Sequence, residues 1–354
     1  MHEDKSYDVA IVGGGPAGLT AAVWLGRYLH RVVVIDSGDP RNWETRGVNG
    51  FPGHPGITPA ELRGRTRDQC REYDVELIDG FVARVRRDRD GFIVEYDQMP
   101  TTKAREDQRG SGAPRTPDDN APRPETRSLR ASRLLLALGL RDEWPKVPGL
   151  QQVYGSAAHV CPDCDGYDTV GKKVVVIASG RKAAGMALNL TTWTTDIVVC
   201  TNGREPDLDA DQCAKLAALN IPVISARINR VVPQGDRIYA LELDGGMHLD
   251  CDHIFFALSQ RPADDLGAQL DCKRDDDGQI VVSEHQQTSE RNVWAAGDIT
   301  RGAQLAIVAA AEGAVAALSI HKSLVPNERR LVSRKRASDR LQNENAREAL
   351  SRSR

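Results

Sequence analysis

Two cysteines, Cys161 and Cys164, have two residues between them and are followed at once by Asp165. In a Cys-x-x-Cys turn, one thiol becomes a better nucleophile because its partner and nearby amide groups favour its thiolate. Disulfide exchange needs a thiolate that attacks and a thiol that leaves, so a neighbouring carboxylic acid can carry the proton between the two steps. The segment therefore predicts dithiol–disulfide redox chemistry, with these three residues as candidate catalytic residues.

The other cysteines are isolated in the sequence and are interpreted as small apolar or bystander thiols: Cys70, Cys200, Cys213, Cys251 and Cys272. The total of seven is odd and no export signal is visible, which argues against a structural disulfide framework and predicts a cytoplasmic protein. A zinc site would need a second pair of ligands at comparable spacing. We therefore expect no metal, despite His159 near the pair.

A dinucleotide-binding fingerprint precedes the cysteines. Gly13-Gly-Gly15-Pro16-Ala17-Gly18 follows an apolar, strand-like run, Tyr7 to Val12, and leads into a helix-like stretch, Thr20 to Leu29. Gly13 permits a tight turn, Gly15 lets the backbone approach a pyrophosphate, and Gly18 allows close packing of helix on strand. Asp36 ends the next predicted strand, where a carboxylate would accept hydrogen bonds from an adenosine ribose.

A distant second segment carries related signals. A predicted strand runs into Gly297-Asp298, and an alanine-rich helix candidate follows from Gln304 to Ile320. Alone, this helix is equally typical of a core helix that packs through its alanines. Its position after Gly297-Asp298 favours a role at a dinucleotide site.

The order of these motifs resembles the pyridine nucleotide-disulfide oxidoreductases of the low-molecular-weight thioredoxin reductase type, over most of residues 6 to 323. The resemblance implies an α/β fold of two three-layer, Rossmann-like nucleotide-binding domains, the second inserted in the first. It implies bound FAD, with Asp298 on the ribityl chain and the helix N-terminus at the flavin pyrimidine ring. The flavin contacts that it implies near these motifs are Arg41, Asn42, Asn49, Gly297, Gln304, Leu305 and Ala306.

The same resemblance implies the roles of the sulfurs and the partners. Cys164 would be the sulfur that meets the flavin, and Cys161 the one that attacks a disulfide of a thioredoxin-like protein or a small molecule. It also implies a homodimer and a swing of the small domain that alternates the dithiol between flavin and substrate. Segments near 153–156 and 278–284 are the expected hinges.

We predict the domains as follows. Residues 1–152 and 282–323 form the FAD domain, residues 153–281 the domain with the cysteines, and residues 324–354 a polar, basic tail. In the second domain, a strand–helix–strand pattern over residues 173–200 repeats that of residues 7–36. An insert at 101–128 has no Val, Ile, Leu, Met or aromatic residue, so it is expected to be disordered.

The second nucleotide motif departs from the family. In Ala178-Ser-Gly180-Arg181-Lys182 the first glycine is replaced by alanine, and Thr201-Asn-Gly-Arg204-Glu205 offers one arginine for a 2′-phosphate. Arg181 and Lys182 could compensate at the helix N-terminus, which leaves NADPH use open. The alternatives are an NADPH-independent relative fed by ferredoxin and a small-molecule dithiol oxidase using oxygen. The oxidases commonly have histidine where Asp165 stands, which favours a reductase.

Composition excludes little. The formal net charge of −3 gives no global electrostatic reason to expect nucleic acid or an anionic membrane as a partner. The apolar stretch after Leu305 is interrupted by Glu312 and rich in alanine, so we expect no membrane span. A flavin-bearing redox sensor or an idle scaffold would keep Gly13, Gly15 and Asp298, but the intact cysteine pair favours an enzyme.

Overall fold

The computed structural model describes residues 5–42, 45–89, 91–99, 125–142, 144–257 and 259–331. Its described strands and helices form two three-layer α/β units, and the second is inserted in the chain of the first. The predicted fold class is confirmed. Most of the predicted insert, residues 101–124, and most of the predicted tail, residues 332–354, lie outside the described residues.

A six-stranded sheet forms the centre of the first domain. Five of its strands are parallel and lie in the order β3-β2-β1-β5-β16. The sixth strand, β4, pairs antiparallel with β3 and β5. The strands are β1 (Ser6–Val12), β2 (Val32–Asp36), β3 (Glu76–Asp88), β4 (Gly91–Gln98), β5 (Thr126–Leu136) and β16 (Val293–Ala295). The helices are α1 (Pro16–Arg27), α2 (Pro59–Glu72), the short α6 (Leu266–Gln269) and α7 (Ala306–Leu324).

Both faces of the parallel strands are covered, which explains their continuous apolar sequence. On β1, Val9 and Ile11 pack among the helices, whereas Ala10 and Val12 pack under the antiparallel strands. The alternation follows the two-residue repeat of a strand. It gives three layers: helices, parallel sheet and antiparallel sheet.

The predicted insert ends earlier than expected. Residues 126–128 belong to β5, where Thr126 pairs with Asp97 and Ser128 with Glu95 of β4. The error has a physical cause: all three residues are exposed, so this part of the strand carries no apolar residue to signal it.

The second domain repeats the pattern. Its parallel sheet has the order β10-β9-β8-β14-β7, with helices on one face and a three-stranded antiparallel sheet on the other. The parallel strands are β7 (Ala158–His159), β8 (Val174–Ile177), β9 (Ile197–Cys200), β10 (Val223–Ile224) and β14 (His253–Phe256). The antiparallel strands are β11 (Ile228–Gln234), β12 (Arg237–Leu243) and β13 (His248–Leu249). The helices are α3 (Pro162–Asp165), α4 (Gly180–Leu190) and α5 (Ala210–Ala218).

An antiparallel ribbon lies where the chain passes between the domains. In it β6 (Leu140–Asp142) pairs with β15 (Gln260–Pro262). Residues 147–153 pack in the core of the second domain, while Leu266, Leu270 and Ile280 pack in that of the first. The domain boundaries therefore lie at the ends of this ribbon and not at residues 152 and 281. The expected hinges, near 153–156 and 278–284, lie within the domains. The assignment failed because the short helix α6 and its loop carry no repeat that ties them to either sheet.

Helix α7 packs along α1 through a face of small residues, among them Ala309, Gly313 and Ala316. Among the described residues it is the one helix long and apolar enough to cross a membrane by length and composition alone. Composition alone therefore does not exclude a membrane span, and the absence of one stays a prediction. In the fold, its buried face is occupied by α1.

Candidate functional site

A cavity of about 530 Å³ lies between the two domains and collects most of the predicted site residues. The first fingerprint, the Gly297-Asp298 turn, the N-terminus of α7 and the cysteine segment all line it. The predicted residues found there are Gly13, Gly15, Pro16, Ala17, Asp36, Arg41, Asn42, Asn49, Cys161, Cys164, Asp165, Gly297, Asp298, Gln304, Leu305 and Ala306. Motifs that are more than 250 residues apart in the chain therefore meet in one place.

The conformations and surroundings of the fingerprint glycines are compatible with the roles that their spacing predicts. Gly13 has a φ of +105°, and a side chain there would lie 2.2 Å from the carbonyl oxygen of Ala137. At Gly15 a side chain would meet nothing within 4 Å, so the backbone faces open space in the cavity. Gly18 does not line the cavity: a Cβ there would lie 1.9 Å from the Gly13 oxygen, so it serves the packing of α1.

Helix α1 presents its N-terminus to the cavity. Gly15 caps it in an extended conformation without any side-chain cap, and Pro16 follows as the first helical residue. The N–H groups of the first turn are therefore available to an anion, which the helix dipole also favours.

Asp36 lies at the carboxyl end of β2, buried and ion-paired with Arg63 of α2. Burial acts to raise the pKa of Asp36, but the charge and hydrogen bond of Arg63, with the N–H groups of Gly38 and Gly14, outweigh it and hold the pKa below its usual range. Asp36 is therefore an ionised acceptor at the cavity edge. Buried Nε of Arg63 has no hydrogen-bond partner among the described residues, so it is a donor open to a ligand.

A second charged group lies on the opposite side of the cavity. The Arg41 guanidinium binds Asp142 through Nε at 2.6 Å, Asp298 through Nη1 at 3.2 Å and Gln304 through Nη1 at 2.6 Å. Burial raises the pKa of Asp298, which Arg41 only partly offsets. The arginine thus ties the Gly-Asp turn to the ribbon between the domains and to the start of α7.

The turn itself is fixed by α7. Gly297 has a φ of +81°, and its N–H donates to Oε2 of Glu312 at 2.7 Å; Thr300 also lies 3.2 Å from that oxygen. The one carboxylate inside the apolar helix therefore holds the turn that carries Asp298. Leu305 caps α7 without a side-chain hydrogen bond, so its first N–H groups also face the cavity.

Cys161 and Cys164 form a disulfide at the start of the short helix α3, with their Cα atoms 5.3 Å apart. The N–H of Cys164 donates to Sγ of Cys161 at 3.1 Å, an arrangement that favours the thiolate of Cys161 after reduction. Nδ2 of Asn49, in the first domain, donates to the Cys164 carbonyl oxygen at 3.1 Å. The same nitrogen lies 3.4 Å from Oδ1 of Asp165. The pair is thus held facing the cavity.

The remaining cysteines offer no comparable chemistry. Burial raises the pKa of Cys70 to about 11 and that of Cys251 to about 12, and it also raises the pKa of Cys200 and Cys272. These thiols stay protonated near neutral pH. Cys213 is exposed and reduced.

The second nucleotide motif is shaped differently. Gly180, Arg181, Lys182 and Arg204 do not line the large cavity. The N–H of Gly180, at the first position of α4, donates to the Pro206 carbonyl at 2.8 Å, and a Cβ on Gly180 would lie 3.4 Å from the Asp207 carboxylate. The Gly180 N–H is therefore already used within the chain, and a carboxylate lies beside it.

The residues at the large cavity fit FAD. The N-termini of α1 and α7 are uncapped, and Asp36 is an ionised acceptor for a ribose. Nε of Arg63 is a donor without a partner among the described residues. At Gly15 the backbone can approach a ligand, because no side chain projects into the cavity there. When bound, FAD would supply electron-pair transfer beside the disulfide. The second motif fits a dinucleotide phosphate less well: the Gly180 N–H is already used and Asp207 lies beside it, while Arg181 and Lys182 follow as exposed cations on the first turn.

Sequence reasoning missed several residues of this site. Arg63, Asp142, Asp264 and Tyr154 line the cavity or bind its predicted residues, and His159 lies against Asp165. None has a motif of its own. A buried polar side chain on an amphipathic helix, as for Arg63 on α2, is the one signal that could have been noticed.

Comparisons with known proteins show which proteins this chain is similar to. A model described as pyridine nucleotide-disulphide oxidoreductase matches residues 7–313. Thioredoxin reductase tcpT of Claviceps purpurea is 28% identical over 84% of this chain and 88% of its own length. A Bacillus subtilis NADH dehydrogenase is 25% identical over 92% of this chain, which spans 60% of that relative. The crystal structure of an Agrobacterium tumefaciens oxidoreductase superposes with a TM-score of 0.74 at 31% identity, covering 90% of this chain and 99% of that one.

Proposed function

Because the chain belongs to the pyridine nucleotide-disulphide oxidoreductase family and is an FAD-dependent oxidoreductase of the thioredoxin reductase type, we propose that it exchanges electron pairs between a bound flavin and the Cys161–Cys164 disulfide. We further propose that the resulting dithiol reduces a disulfide of a thioredoxin-like protein or a small molecule. The observation that carries the proposal is that the disulfide and both flavin-type motifs line one cavity.

In this proposal each residue of the cavity has its own role in binding FAD or in disulfide exchange. The N–H groups at the start of α1 would bind the pyrophosphate, and Asp36 would accept from the ribose. Asp298, held by Arg41 and the Glu312-bound turn, would bind the ribityl chain. Cys161 would attack the substrate disulfide, since its sulfur already accepts an N–H. Asp165 would deliver or take the proton at the sulfurs.

The test uses single cysteine variants of the purified yellow protein. Cys164→Ser should abolish disulfide turnover and leave flavin content unchanged, whereas Cys213→Ser, at the exposed cysteine, should behave as wild type. Both are assayed with a thioredoxin and with a small disulfide. Full turnover by Cys164→Ser would refute the proposed role of the disulfide, and a protein that stays colourless when supplied with FAD would refute the whole assignment.

A second candidate function concerns the electron donor, and Asp207 is the observation that favours it. Because the Gly180 N–H is used and Asp207 lies beside it, we propose that NADPH is not the donor. The flavin would instead take electrons from a reduced carrier such as ferredoxin. Alternatively, it would take them from a small dithiol and pass them to oxygen. Anaerobic NADPH should then fail to bleach the protein, while dithionite bleaches it. Rapid bleaching by NADPH would show that NADPH is the donor and would refute this second proposal.

We also propose a homodimer. One face of α7 exposes Ile307, Val315 and Leu318 at helical spacing, and Trp24 is exposed on the neighbouring helix α1. A second copy of this chain is the proposed partner for this apolar α7 face.

A further inference from the structure

Behind the disulfide lies a buried histidine whose two ring nitrogens both meet titratable groups. His159 is 4% exposed; its Nδ1 lies 3.4 Å from Oδ2 of Asp165, and its Nε2 lies 3.2 Å from Nδ1 of His253. A histidine that only fills a core needs no more than a carbonyl or hydroxyl partner. Here the three side chains form a row from the cavity wall into the second domain.

Parallel strands fix this row. His159 ends β7, where it is paired in register with Phe255 of β14, and His253 begins β14. The His159 ring packs against Phe255 with ring centroids 5.2 Å apart and against His253 at 5.4 Å. The rings therefore have little freedom to turn away from each other, so the N-to-N contact is built into the sheet.

The outer end of the row is close to the surface. His253 is half-buried, and the charged groups that face it are Asp252 beside it on the chain and Asp168 and Lys172 from the segment after the cysteines. Burial lowers the pKa of His253, the neighbouring His159 adds to this, and the two aspartates oppose it. His253 is thus neutral near neutral pH and can hold one proton on either ring nitrogen.

We propose that His159 and His253 form a proton relay that connects Asp165 to solvent on the side away from the cavity. The relay rests on the proposed function, because it serves reduction and reoxidation of the Cys161–Cys164 pair. The Asp165 side chain is only 13% exposed, so little water reaches its carboxyl group from the cavity side.

Reduction of the Cys161–Cys164 disulfide by an external dithiol shows how the protons balance. One S–S bond in the protein breaks and one forms in the reductant, which releases two protons to water. The Cys161 sulfur stays a thiolate because it accepts the Cys164 N–H, so one proton is needed, on the Cys164 sulfur. Asp165 gives its O–H proton to the departing Cys164 sulfur. His159 restores Asp165 through Nδ1 and is restored through Nε2 by His253, which takes a proton from water at its own Nε2.

The test measures the reduction rate of the protein disulfide directly. The holoenzyme is mixed with dithiothreitol, quenched in acid at intervals and alkylated, and the Cys161–Cys164 peptide is counted by mass spectrometry. His253→Ala should slow reduction about ten- to a hundredfold, and added imidazole should restore much of the rate. His248→Ala, at an exposed histidine of the same domain, is the matched control and should be unaffected.

Two further variants make the result decisive. His253→Asn keeps a polar side chain but cannot carry a proton, so it should be as slow as His253→Ala, with unchanged melting temperature and flavin content. Combining His253→Ala with Asp165→Asn should slow reduction no more than Asp165→Asn alone, because both act on one path.

The outcomes separate the two proposals. A wild-type disulfide that dithiothreitol reduces but that never turns over with any substrate refutes the proposed function and leaves the relay intact. Wild-type rates in both His253 variants, a loss that imidazole does not restore, or additive losses in the double variant refute the relay alone.

Discussion

At the scale of single residues, spacing along the chain predicted what is local and missed what folding brings together. Cys161, Cys164 and Asp165 could be identified because a redox pair and its acid lie within one turn. Asp142, by contrast, is 101 residues from the Arg41 that it binds. No property of one sequence places those two side chains together, so the charged network around Asp298 could not be predicted.

Asp264 is a cavity residue of this kind, and its titration gives a prediction. Burial raises its pKa from 3.8 to about 6, against the opposing N–H of Leu266. The folded state therefore holds the proton more tightly than the unfolded state, so this group's contribution to stability is present at low pH and is lost as the pH rises from about 4 through about 6. Above that range the ionised, buried carboxylate destabilises the fold.

Asp264→Asn should remove this cost and still accept the Leu266 N–H. We expect the free energy of unfolding to rise by roughly 1–2 kcal/mol at pH values above the folded pKa, after allowance for partial solvent screening, and to be unchanged at acid pH. Urea denaturation across this range measures it. Asp271→Asn, at an exposed aspartate, is the control, and an Asp264→Asn curve that runs parallel to wild type at every pH would contradict the argument.

At the scale of elements, helices and strands were predicted in the right order with shifted ends. Helix α1 begins at Pro16 rather than Thr20, because proline is well accommodated in a first turn. Helix α7 runs to Leu324, four residues beyond the prediction. The packing of α7 on α1 was not predictable in its detail: a Cβ on Gly313 would lie 2.1 Å from the Ala17 carbonyl oxygen.

Gly313→Ala should therefore force the two helices apart. We expect a loss of about 1–3 kcal/mol in unfolding free energy, the usual range for overpacking, and weaker flavin retention because Ala17 lines the cavity. Gly185→Ala is a matched control on α4, since a Cβ there meets nothing within 4 Å; it should stabilise by up to about 1 kcal/mol. Thermal melting followed by flavin fluorescence compares the two. Equal melting temperatures for both variants would show that the α1–α7 contact is not tight.

At the scale of the whole molecule, the two repeated units and the insertion of one in the other were predicted from motif order. The boundaries were not, because residues 266–281 return to the first domain through a four-residue helix without a recognisable repeat. One contact across the domains is polar: Arg46 pairs with Asp236 of the β11–β12 turn and donates its N–H to the Gly155 carbonyl. Such contacts are weak enough to break when domains move.

The proposed dimer is tested at this scale too. Val315→Asp places a charge in the middle of the apolar α7 face and should convert a dimer to a monomer of 38.7 kDa in sedimentation velocity. Leu219→Asp, at an exposed leucine just after α5, should leave the dimer intact. A wild-type protein that sediments as a monomer at every concentration would remove the proposal.

The ribbon of β6 and β15 has a consequence for how such enzymes can diverge. Because the chain leaves the first unit and re-enters it on adjacent strands, the whole middle section is attached at a single point. Its sequence can therefore change, at positions such as Ala178 and Asp207, without altering the residues of the first domain that line the cavity. A chain built in this way can abandon one electron source and adopt another while its sulfur chemistry stays in place.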